Sequence, residues 1–435
     1  MAPSVSYSIT ARLEVASHGR AVSEITRAVE QAGGVVTALD VTSGTGGKLR
    51  VDVTCAATDT AHAESLVGAM AAVPGVSVHK VSDRTFLMHL GGKIEMRSKV
   101  PLRNRDDLSM AYTPGVARVS LALAAKPEDA RRLTIKRNSV AVVTDGSAVL
   151  GLGNVGPYAA LPVMEGKAAL FADLVGINGV PILIDETAPA RVVDIVSGIA
   201  TSFGAIQLED FAAPECFEIE ERLRARLTKP VLHDDQHGTA VVTLAALINA
   251  TQRSGVDLCA SIIGQIGLGA AGSGIVRLLQ AYGVRHVLGT DPNPGAVARL
   301  TAAGGEGVTL AALMQRADIV IACTGVKGLI RPEWVRKGQV ILALSNPDPE
   351  IEPLVARAQG AAFAADGKGI NNVLAFPGLF KGALEARAAR FTDAMLMAAA
   401  NAIAGLARGD ELVPDPLDRE LHAKVAAAVR AAAGQ

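Results

Sequence analysis

The chain contains 435 residues, of which 49% are hydrophobic and 20% charged, and its formal net charge at neutral pH is −1. This composition is typical of a folded globular protein that is long enough to bury two or three hydrophobic cores. The near-zero charge and the absence of any dense run of Lys and Arg argue against a nucleic-acid surface or a polybasic membrane anchor. Small molecules are therefore the expected partners.

The cysteines and the N-terminal segment indicate where the protein works. No pair of cysteines has CxxC spacing, and all four are expected to be reduced packing residues: Cys55, Cys216, Cys259 and Cys323. The first residues lack the charged and apolar regions of a signal peptide, and no window holds the roughly eighteen apolar residues of a membrane-spanning helix. The sequence therefore predicts a cytoplasmic protein with no membrane partner.

Residues 6 to 87 alternate between predicted strands and helices in the order βαββαβ. Glycines at 44, 46 and 47 supply the turn between the second and third strands. The last predicted strand runs from Val76 to Leu90. One face of the first helix carries four apolar residues: Val22, Ile25, Val29 and Ala32. We therefore predict a four-stranded sheet covered by helices.

From Gly91 onward the sequence becomes polar and is interrupted by prolines, which places a predicted domain boundary near residue 90. Apolar runs such as AVVTDG and AIQL then predict a parallel α/β unit, and a second parallel set begins at SIIGQIGLGAAG. The tail after Pro377 reads as Ala-rich helices. The predicted domains are residues 1–88, 89–238 and 239–435, all within an α/β fold class.

Two carboxylate pairs follow short apolar runs in the middle domain. Glu209 and Asp210 follow AIQL, while Asp234 and Asp235 come just after PVL. Parallel strands bring their carboxyl ends to one edge of a sheet, where catalytic side chains collect. Four acidic groups at that edge repel one another unless a divalent cation lies between them, and their oxygens suit Mg²⁺ or Mn²⁺. The sequence therefore predicts a metal site here.

A glycine-rich loop opens the last domain in the strand–loop–helix context that a dinucleotide-binding loop requires. Gly267 permits a tight turn, Gly269 lets a pyrophosphate approach the backbone, and Gly272 lets helix and strand pack closely. Asp291 ends the next strand and is placed to bind the adenine-side ribose, which favours NAD over NADP. Thr324 and Asn346 follow later strands and are expected to line the same cofactor crevice.

Several strings spread over residues 95 to 385 resemble the malic enzymes, specifically the short bacterial form. They are AYTPGVA, VVTDGSAVLGLGNVGP, LPVMEGKAALF, QLEDFAAP, HDDQHGTA, LSNPDPE and INNVLAFPG. The resemblance implies a malic-enzyme catalytic domain, a Rossmann-type NAD-binding domain and oxidative decarboxylation of L-malate to pyruvate and CO₂. It also implies a divalent metal ion and a homodimer or larger homo-oligomer.

The resemblance also implies roles for individual residues. Glu209, Asp210 and Asp235 would bind the metal, and Asp234 would orient and charge Lys167. Lys167, with a depressed pKa, would be the general base and Tyr112 the general acid. Substrate carboxylate and carbonyl groups would be held by two amides, those of Asn346 and Asn372, while Asn371 supports the backbone.

One position departs from the longer members of the family. Those proteins carry an Arg two residues after the Gly of TDG, where this chain has Ala148. The short bacterial pattern shares this replacement. The candidates for gripping the substrate carboxylate are three upstream arginines, which could come from a neighbouring subunit: Arg97, Arg103 and Arg105.

Two functional alternatives and one regulatory hypothesis accompany this interpretation. An amino-acid dehydrogenase also uses a Lys and a Rossmann domain, but it has no use for the acidic cluster. A catalytically silent effector sensor would not need Tyr112, Lys167 and the carboxylates. The N-terminal βαββαβ order resembles an ACT regulatory domain with Ser17–Val22 as the effector loop, and a dimerisation or packing module is the alternative.

Overall fold

The computed structural model describes residues 3–16, 20–43, 48–149 and 151–434. The chain separates into two compact units, residues 1–95 and 96–435. None of the helices in these described ranges combines the length and the apolar character needed to cross a bilayer.

The N-terminal unit is a four-stranded antiparallel sheet with the strand order β2-β3-β1-β4. Its elements in chain order are β1 Ser4–Ala16, α1 Ala21–Gln31, β2 Val35–Ser43, β3 Lys48–Ala57, α2 Thr60–Ala71, β4 Val76–Asp83 and α3 Arg84–His89. Ile25 and Val29 of α1 are fully buried, with Val22 and Ala32 packed beside them, so the predicted apolar face is confirmed. The predicted turn at residues 44–47 lies outside the described residues.

The final strand of this unit is shorter than predicted. β4 ends at Asp83, and the following residues form α3 instead of continuing the strand to Leu90. The Asp83 carboxylate accepts hydrogen bonds from the backbone N–H groups of Thr85 and Phe86, which is the interaction that starts a helix. The strand prediction was wrong because this cap outweighs the apolar pattern of the segment.

The second unit begins with short helices and continues into a parallel sheet with the strand order β6-β5-β7-β8. The elements are α4 Arg105–Ala111, α5 Gly115–Ala125, α6 Ala130–Leu133, β5 Ser139–Thr144, α7 Gly156–Val175, β6 Asn178–Leu183, α8 Pro189–Ile199, β7 Ala205–Leu208, α9 Glu215–Arg226, β8 Val231–His233 and α10 Asp234–Ser254. The strands β5, β7 and β8 are buried on both faces, as expected of a parallel sheet covered by helices.

Helix α10 begins directly after β8, without an intervening loop. Its first residues are Asp234 and Asp235, so the second carboxylate pair lies in the first helical turn directly after β8. Negative charges are favourable in that turn because the helix dipole is positive there. The predicted boundary between residues 238 and 239 lies inside this helix.

A second parallel sheet follows, with the order β11-β10-β9-β12-β13-β14. Its elements are β9 Ile262–Ile266, α11 Ala270–Tyr282, β10 His286–Thr290, α12 Pro294–Ala302, β11 Glu306–Gly307, α13 Leu310–Arg316, β12 Ile319–Ala322, β13 Val340–Ala343, α14 Pro353–Ala358 and β14 Phe363–Asp366. In this doubly wound order the strands before β12 are added on one side of β9 and the later ones on the other, and a cofactor crevice opens at this reversal point between β9 and β12. Three helices complete the chain: α15 Phe376–Ala386, α16 Asp393–Ala404 and α17 Arg419–Ala432.

Candidate active site

The strand register brings the two carboxylate pairs together. β7 and β8 are parallel neighbours with Leu208 opposite His233, so the residues that follow each strand meet at one edge. Glu209, Asp210 and Asp235 each offer an oxygen, and these oxygens lie within 4.8 Å of one another. Such a group of hard oxygen donors suits a small divalent cation.

The backbone of Asp210 is held in an unusual conformation at this edge. Its φ of 58° lies in the left-handed region, which is rare for a residue with a side chain. Its backbone N–H donates to Oδ2 of Asp235 at 2.9 Å, and its carbonyl accepts from the backbone N–H of Ala148 at 2.9 Å. These bonds aim the Asp210 side chain into the cluster, where its buried Oδ2 has no hydrogen-bond partner among the described residues.

The electrostatics of the cluster match a cation site. Burial, together with the neighbouring carboxylates, raises the pKa of Glu209 to about 7 and that of Asp210 to about 8. Burial also raises the pKa of Asp235. The three carboxylates therefore resist ionising beside one another, and a divalent cation would relieve this repulsion. The residues fit a bound Mg²⁺ or Mn²⁺.

Lys167 lies beside these carboxylates on α7 and is 9% exposed. Its Nζ donates to Oδ2 of Asp234 at 2.5 Å and lies 2.9 Å from Oε1 of Glu209. The ammonium also lies 4.6 Å from the ring centroid of Phe376. These contacts hold the amine between the carboxylate cluster and the ring of Phe376.

The charge state of Lys167 differs from the prediction. Burial lowers its pKa, but the negative charges of Asp234, Glu209 and Asp235 more than reverse this effect, so its pKa is above the usual range. The prediction that Lys167 has a depressed pKa is therefore wrong when only the charges of the protein are considered. The sequence shows the lysine and the acidic residues, but it does not show how many carboxylates face the amine in the folded protein.

Gly238 makes room for the carboxylate that holds Lys167. A Cβ atom at this position would lie 1.9 Å from Oδ1 of Asp234 and 3.2 Å from Cβ of Asn372. Asn372 is therefore a close neighbour of the same helical turn. Asn371 instead accepts a hydrogen bond from the backbone N–H of Val373 at 2.9 Å, which confirms that it supports the backbone.

The structure does not gather every predicted residue into this cluster. Tyr112 follows α4 and is 68% exposed, and its side chain makes no hydrogen bond within the described ranges. The three candidate arginines upstream of it are also exposed: Arg97, Arg103 and Arg105. This part of the second unit faces solvent in the single chain.

The glycine-rich loop has the predicted geometry. Gly267 has a φ of +88°, and a Cβ atom there would lie 2.8 Å from the carbonyl oxygen of Cys323. A Cβ atom on Gly272 would lie 1.9 Å from the carbonyl oxygen of Gly267, so only glycine allows this packing. Apart from its two chain neighbours, no residue has an atom within 4 Å of the Cβ position of Gly269, the first residue before α11. The open backbone there fits a pyrophosphate at the helix N-terminus.

The remaining cofactor candidates surround the same crevice. Asp291 directly follows β10, and its Oδ2 accepts from the backbone N–H of Leu268 at 2.7 Å. Its other oxygen accepts from the backbone N–H of Asn293 at 2.8 Å. Thr324 and Asn346 lie in the loops after β12 and β13, on the other side of the reversal point. The protein groups fit a dinucleotide laid across this edge.

A buried network behind the cluster was missed at the sequence level. Glu220 of α9 contacts Nε2 of His237 at 2.9 Å and accepts from the backbone N–H of His233 at 3.2 Å. Burial alone would raise the pKa of Glu220, but its interactions with His237, including a hydrogen bond, lower the pKa to about 2. The network ties α9 to the turn that carries the second carboxylate pair. Nothing in the sequence around Glu220 distinguishes it from an ordinary helical glutamate.

Comparisons with known proteins match most of the chain. A family model for the malic enzyme N-terminal domain matches residues 91–224, and one for the malic enzyme NAD-binding domain matches residues 363–433. NAD-dependent malic enzyme 1 of Bacillus subtilis is 54% identical over 371 residues, which cover 85% of this chain and 84% of that protein. The NAD-dependent malic enzyme of Geobacillus stearothermophilus is 44% identical over 425 residues, covering 93% of this chain and 88% of that protein.

Solved structures agree with these matches. The crystal structure of an NAD-dependent malic enzyme from Thermotoga maritima matches with a TM-score of 0.75 and 39% sequence identity. The match covers 80% of this chain and 99% of that chain. The malic enzyme from Pyrococcus horikoshii has a TM-score of 0.74 and 40% identity, with 79% of this chain and 87% of that one covered.

Proposed function

The chain belongs to the malic enzyme family, and we propose that it oxidises and decarboxylates L-malate to pyruvate and CO₂ while reducing NAD. One observation carries the proposal: a buried lysine, Lys167, lies 2.5 Å from Asp234 and 2.9 Å from Glu209, beside a three-carboxylate cluster. An amino-acid dehydrogenase has no use for that cluster, so the alternative is disfavoured.

The carboxylates and Lys167 divide the work on the substrate's C2 hydroxyl. A divalent cation held by Glu209, Asp210 and Asp235 would supply Lewis-acid polarisation of that oxygen and offset the negative charge that now keeps Lys167 protonated. In its neutral form, which this offset favours, Lys167 accepts the hydroxyl proton at Nζ. Asp234 orients the amine and stabilises the ammonium that forms, because its Oδ2 already contacts Nζ.

The other residues act on the rest of the substrate. Bound NAD would supply the acceptor for the hydride that leaves C2, and loss of CO₂ from the resulting keto acid would give the enolate of pyruvate. Asn372, next to the turn of Asp234, and Asn346, in the loop after β13, would hold carboxylate and carbonyl oxygens of the substrate. Tyr112 would donate the proton that C3 requires.

Asp291 supports NAD as the cofactor. Its carboxylate lies at the end of β10, where it can accept hydrogen bonds from the ribose hydroxyls and would repel a 2′-phosphate. The relatives at 54% and 44% identity are NAD-dependent malic enzymes, whereas an NADP-dependent one from Escherichia coli is 37% identical.

Tyr112 supports a homodimer or larger homo-oligomer. The segment around it leaves apolar side chains in solvent, and no residue of α4 or α5 is buried. The exposed apolar residues include Leu102, Leu108, Met110 and Leu121. Several large apolar side chains exposed in one segment are typical of a protein–protein interface. We propose that a second copy covers it and brings Tyr112 into an active site.

The N-terminal unit supports an ACT-like regulatory module. Its βαββαβ order and its β2-β3-β1-β4 antiparallel sheet form a self-contained unit, and the family models begin at residue 91. The predicted effector loop, Ser17–Val22, lies partly outside the described residues. The module would bind a small effector or join two chains.

Four free thiols support a reducing, cytoplasmic location. Two are buried, Cys55 and Cys216, and two are half-buried, Cys259 and Cys323. Burial raises the pKa of the Cys55 thiol to about 11 and that of Cys216 to about 12, as expected of inert packing residues.

The direct test measures NADH formation from L-malate by the full chain. We expect turnover with NAD and Mn²⁺, loss of turnover when the metal is chelated, and a lower kcat/KM with NADP. The matched control replaces malate with an amino acid. Metal-independent turnover of the amino acid would contradict the proposal and favour the dehydrogenase alternative.

A further inference from the structure

Glu350 is a fully buried carboxylate that the mechanism above does not use. It is 0% exposed and lies seven residues after the end of β13. Within the described ranges no Lys, Arg or His forms an ion pair with it. Burying an ionised carboxylate is costly unless several donors satisfy it. The donors that surround Glu350 therefore indicate its role.

Two loops supply these donors. Oε1 of Glu350 accepts from the backbone N–H of Thr324 at 2.7 Å and from its hydroxyl at 2.8 Å. The same oxygen accepts from the hydroxyl of Ser345 at 2.6 Å. The backbone N–H of Ser345 lies 3.4 Å from Oε2. One carboxylate thus joins the loop after β12 to the loop after β13.

The hydroxyl groups pass this constraint on to the backbone. Because the Ser345 hydroxyl donates to Glu350, it is free to accept from the backbone N–H of Gly325 at 2.8 Å. The Thr324 hydroxyl likewise accepts from the backbone N–H of Val326 at 3.1 Å. Gly325 and Val326 are exposed at the crevice, whereas Glu350 and Ser345 are buried beneath them. The buried carboxylate therefore fixes the exposed residues Gly325 and Val326, which form a lip at the edge of the crevice.

The lip belongs to one half of the cofactor crevice. A doubly wound sheet binds the two mononucleotide halves of a dinucleotide on opposite sides of the reversal point. The glycine-rich loop and Asp291 follow β9 and β10, on the adenosine side. β12 and β13 lie on the other side, which leaves their loops for the nicotinamide half.

We infer that Glu350 is a positioning residue for the nicotinamide half of NAD, acting through Thr324, Ser345 and Gly325. The inference rests on the proposed function. A glutamine at this site keeps the shape of the side chain but presents an NH₂ group where the loops already present donors. The lip would lose the hydrogen bonds that fix it to Glu350. The adenosine side, which follows β9 and β10, would keep its hydrogen bonds.

The test compares Glu350→Gln with wild type and with Glu352→Gln in the full chain. Glu352 is exposed two residues away and undergoes the same chemical change, so it is the matched control. NADH binding is followed by nicotinamide fluorescence, and AMP binding, which reports only the adenosine half, by calorimetry. Loss of hydrogen bonds to a buried carboxyl group predicts NADH affinity at least about tenfold weaker in Glu350→Gln, with AMP affinity within about twofold and Glu352→Gln like wild type.

Two results would overturn the inference: NADH affinity unchanged in Glu350→Gln, or NADH and AMP affinities weakened equally. If thermal melting shows that Glu350→Gln does not fold, Ser345→Ala replaces it. That variant should weaken NADH binding about threefold or more and spare AMP, and unchanged NADH binding would overturn the inference. Failure of the proposed function would be a different result, in which the wild-type protein binds NADH but does not oxidise malate.

Discussion

Replacing Gly238 by Ala should separate helix stability from catalysis. In an ordinary helical position this change stabilises by roughly 1 kcal/mol, because Ala is the better helix former. Here the new Cβ would lie 1.9 Å from Oδ1 of Asp234, where a normal contact needs at least 3.0 Å. The carboxylate must therefore move by about 1.1 Å, and its 2.5 Å bond to Lys167 would break.

The magnitude follows from that broken pair. Uncoupling a buried ion pair costs roughly 3–5 kcal/mol, so the net loss of stability after the helix gain is about 2–4 kcal/mol. A displacement of this size at a catalytic group lowers kcat by roughly 100-fold. The control is Gly198→Ala in α8, where no atom beyond the adjoining helix backbone lies within 4 Å of the new Cβ. It should raise the melting temperature and leave kcat unchanged.

Thermal melting and steady-state NADH formation measure both effects. A Gly238→Ala protein that melts higher than wild type, as Gly198→Ala should, and keeps its kcat would refute the reasoning. That outcome would mean that Asp234 moves freely and does not hold Lys167 in place.

Three further predictions concern the metal, the cofactor and the N-terminal unit. Protons compete with the cation, since the pKa of Glu209 is raised to about 7 and that of Asp210 to about 8. Calorimetry should therefore show Mn²⁺ affinity falling by roughly tenfold or more per pH unit below pH 7, and a flat profile would exclude these ligands. Asp291→Ser should reduce the ratio of kcat/KM for NAD over NADP by roughly tenfold or more, and an unchanged ratio would place selectivity elsewhere in the loop. Deleting residues 1–88 should leave Mn²⁺-dependent malate turnover and abolish responses to small effectors. If the module instead joins two chains, the deletion should lower both kcat and the mass in solution. A truncated protein that stays dimeric and keeps every effector response would exclude both roles.

Features that depend on adjacent residues were predictable from the sequence. The Gly267–Gly272 loop follows its strand directly, and close contacts with backbone atoms explain Gly267 and Gly272. The carboxylate pairs were predictable for the same reason, since parallel strands deliver the residues that follow them to one edge. Resemblance to a family supplied Lys167, which an isolated sequence pattern does not distinguish.

Features that depend on distant contacts were not predictable. The upward shift in the pKa of Lys167 requires counting the carboxylates that face it from other elements. Gly238 looked like an ordinary part of HDDQHGTA until the position of Asp234 was known. Glu350 ends the polar segment LSNPDPE, which gives no sign that it is buried. Its burial depends on two loops that fold over it. The α3 helix was missed because a single cap at Asp83 decided between two local structures.

The most direct test of the active-site assignment is the rate of NADH formation from L-malate by Lys167→Ala, measured with saturating NAD and Mn²⁺. Loss of a general base predicts a fall in kcat of roughly 10²–10⁴-fold. Mn²⁺ binding should not weaken, because removing the ammonium next to Glu209 takes a positive charge away from the cation site. A variant that binds Mn²⁺ and turns over malate within about tenfold of wild type would contradict the assignment of Lys167 as the base.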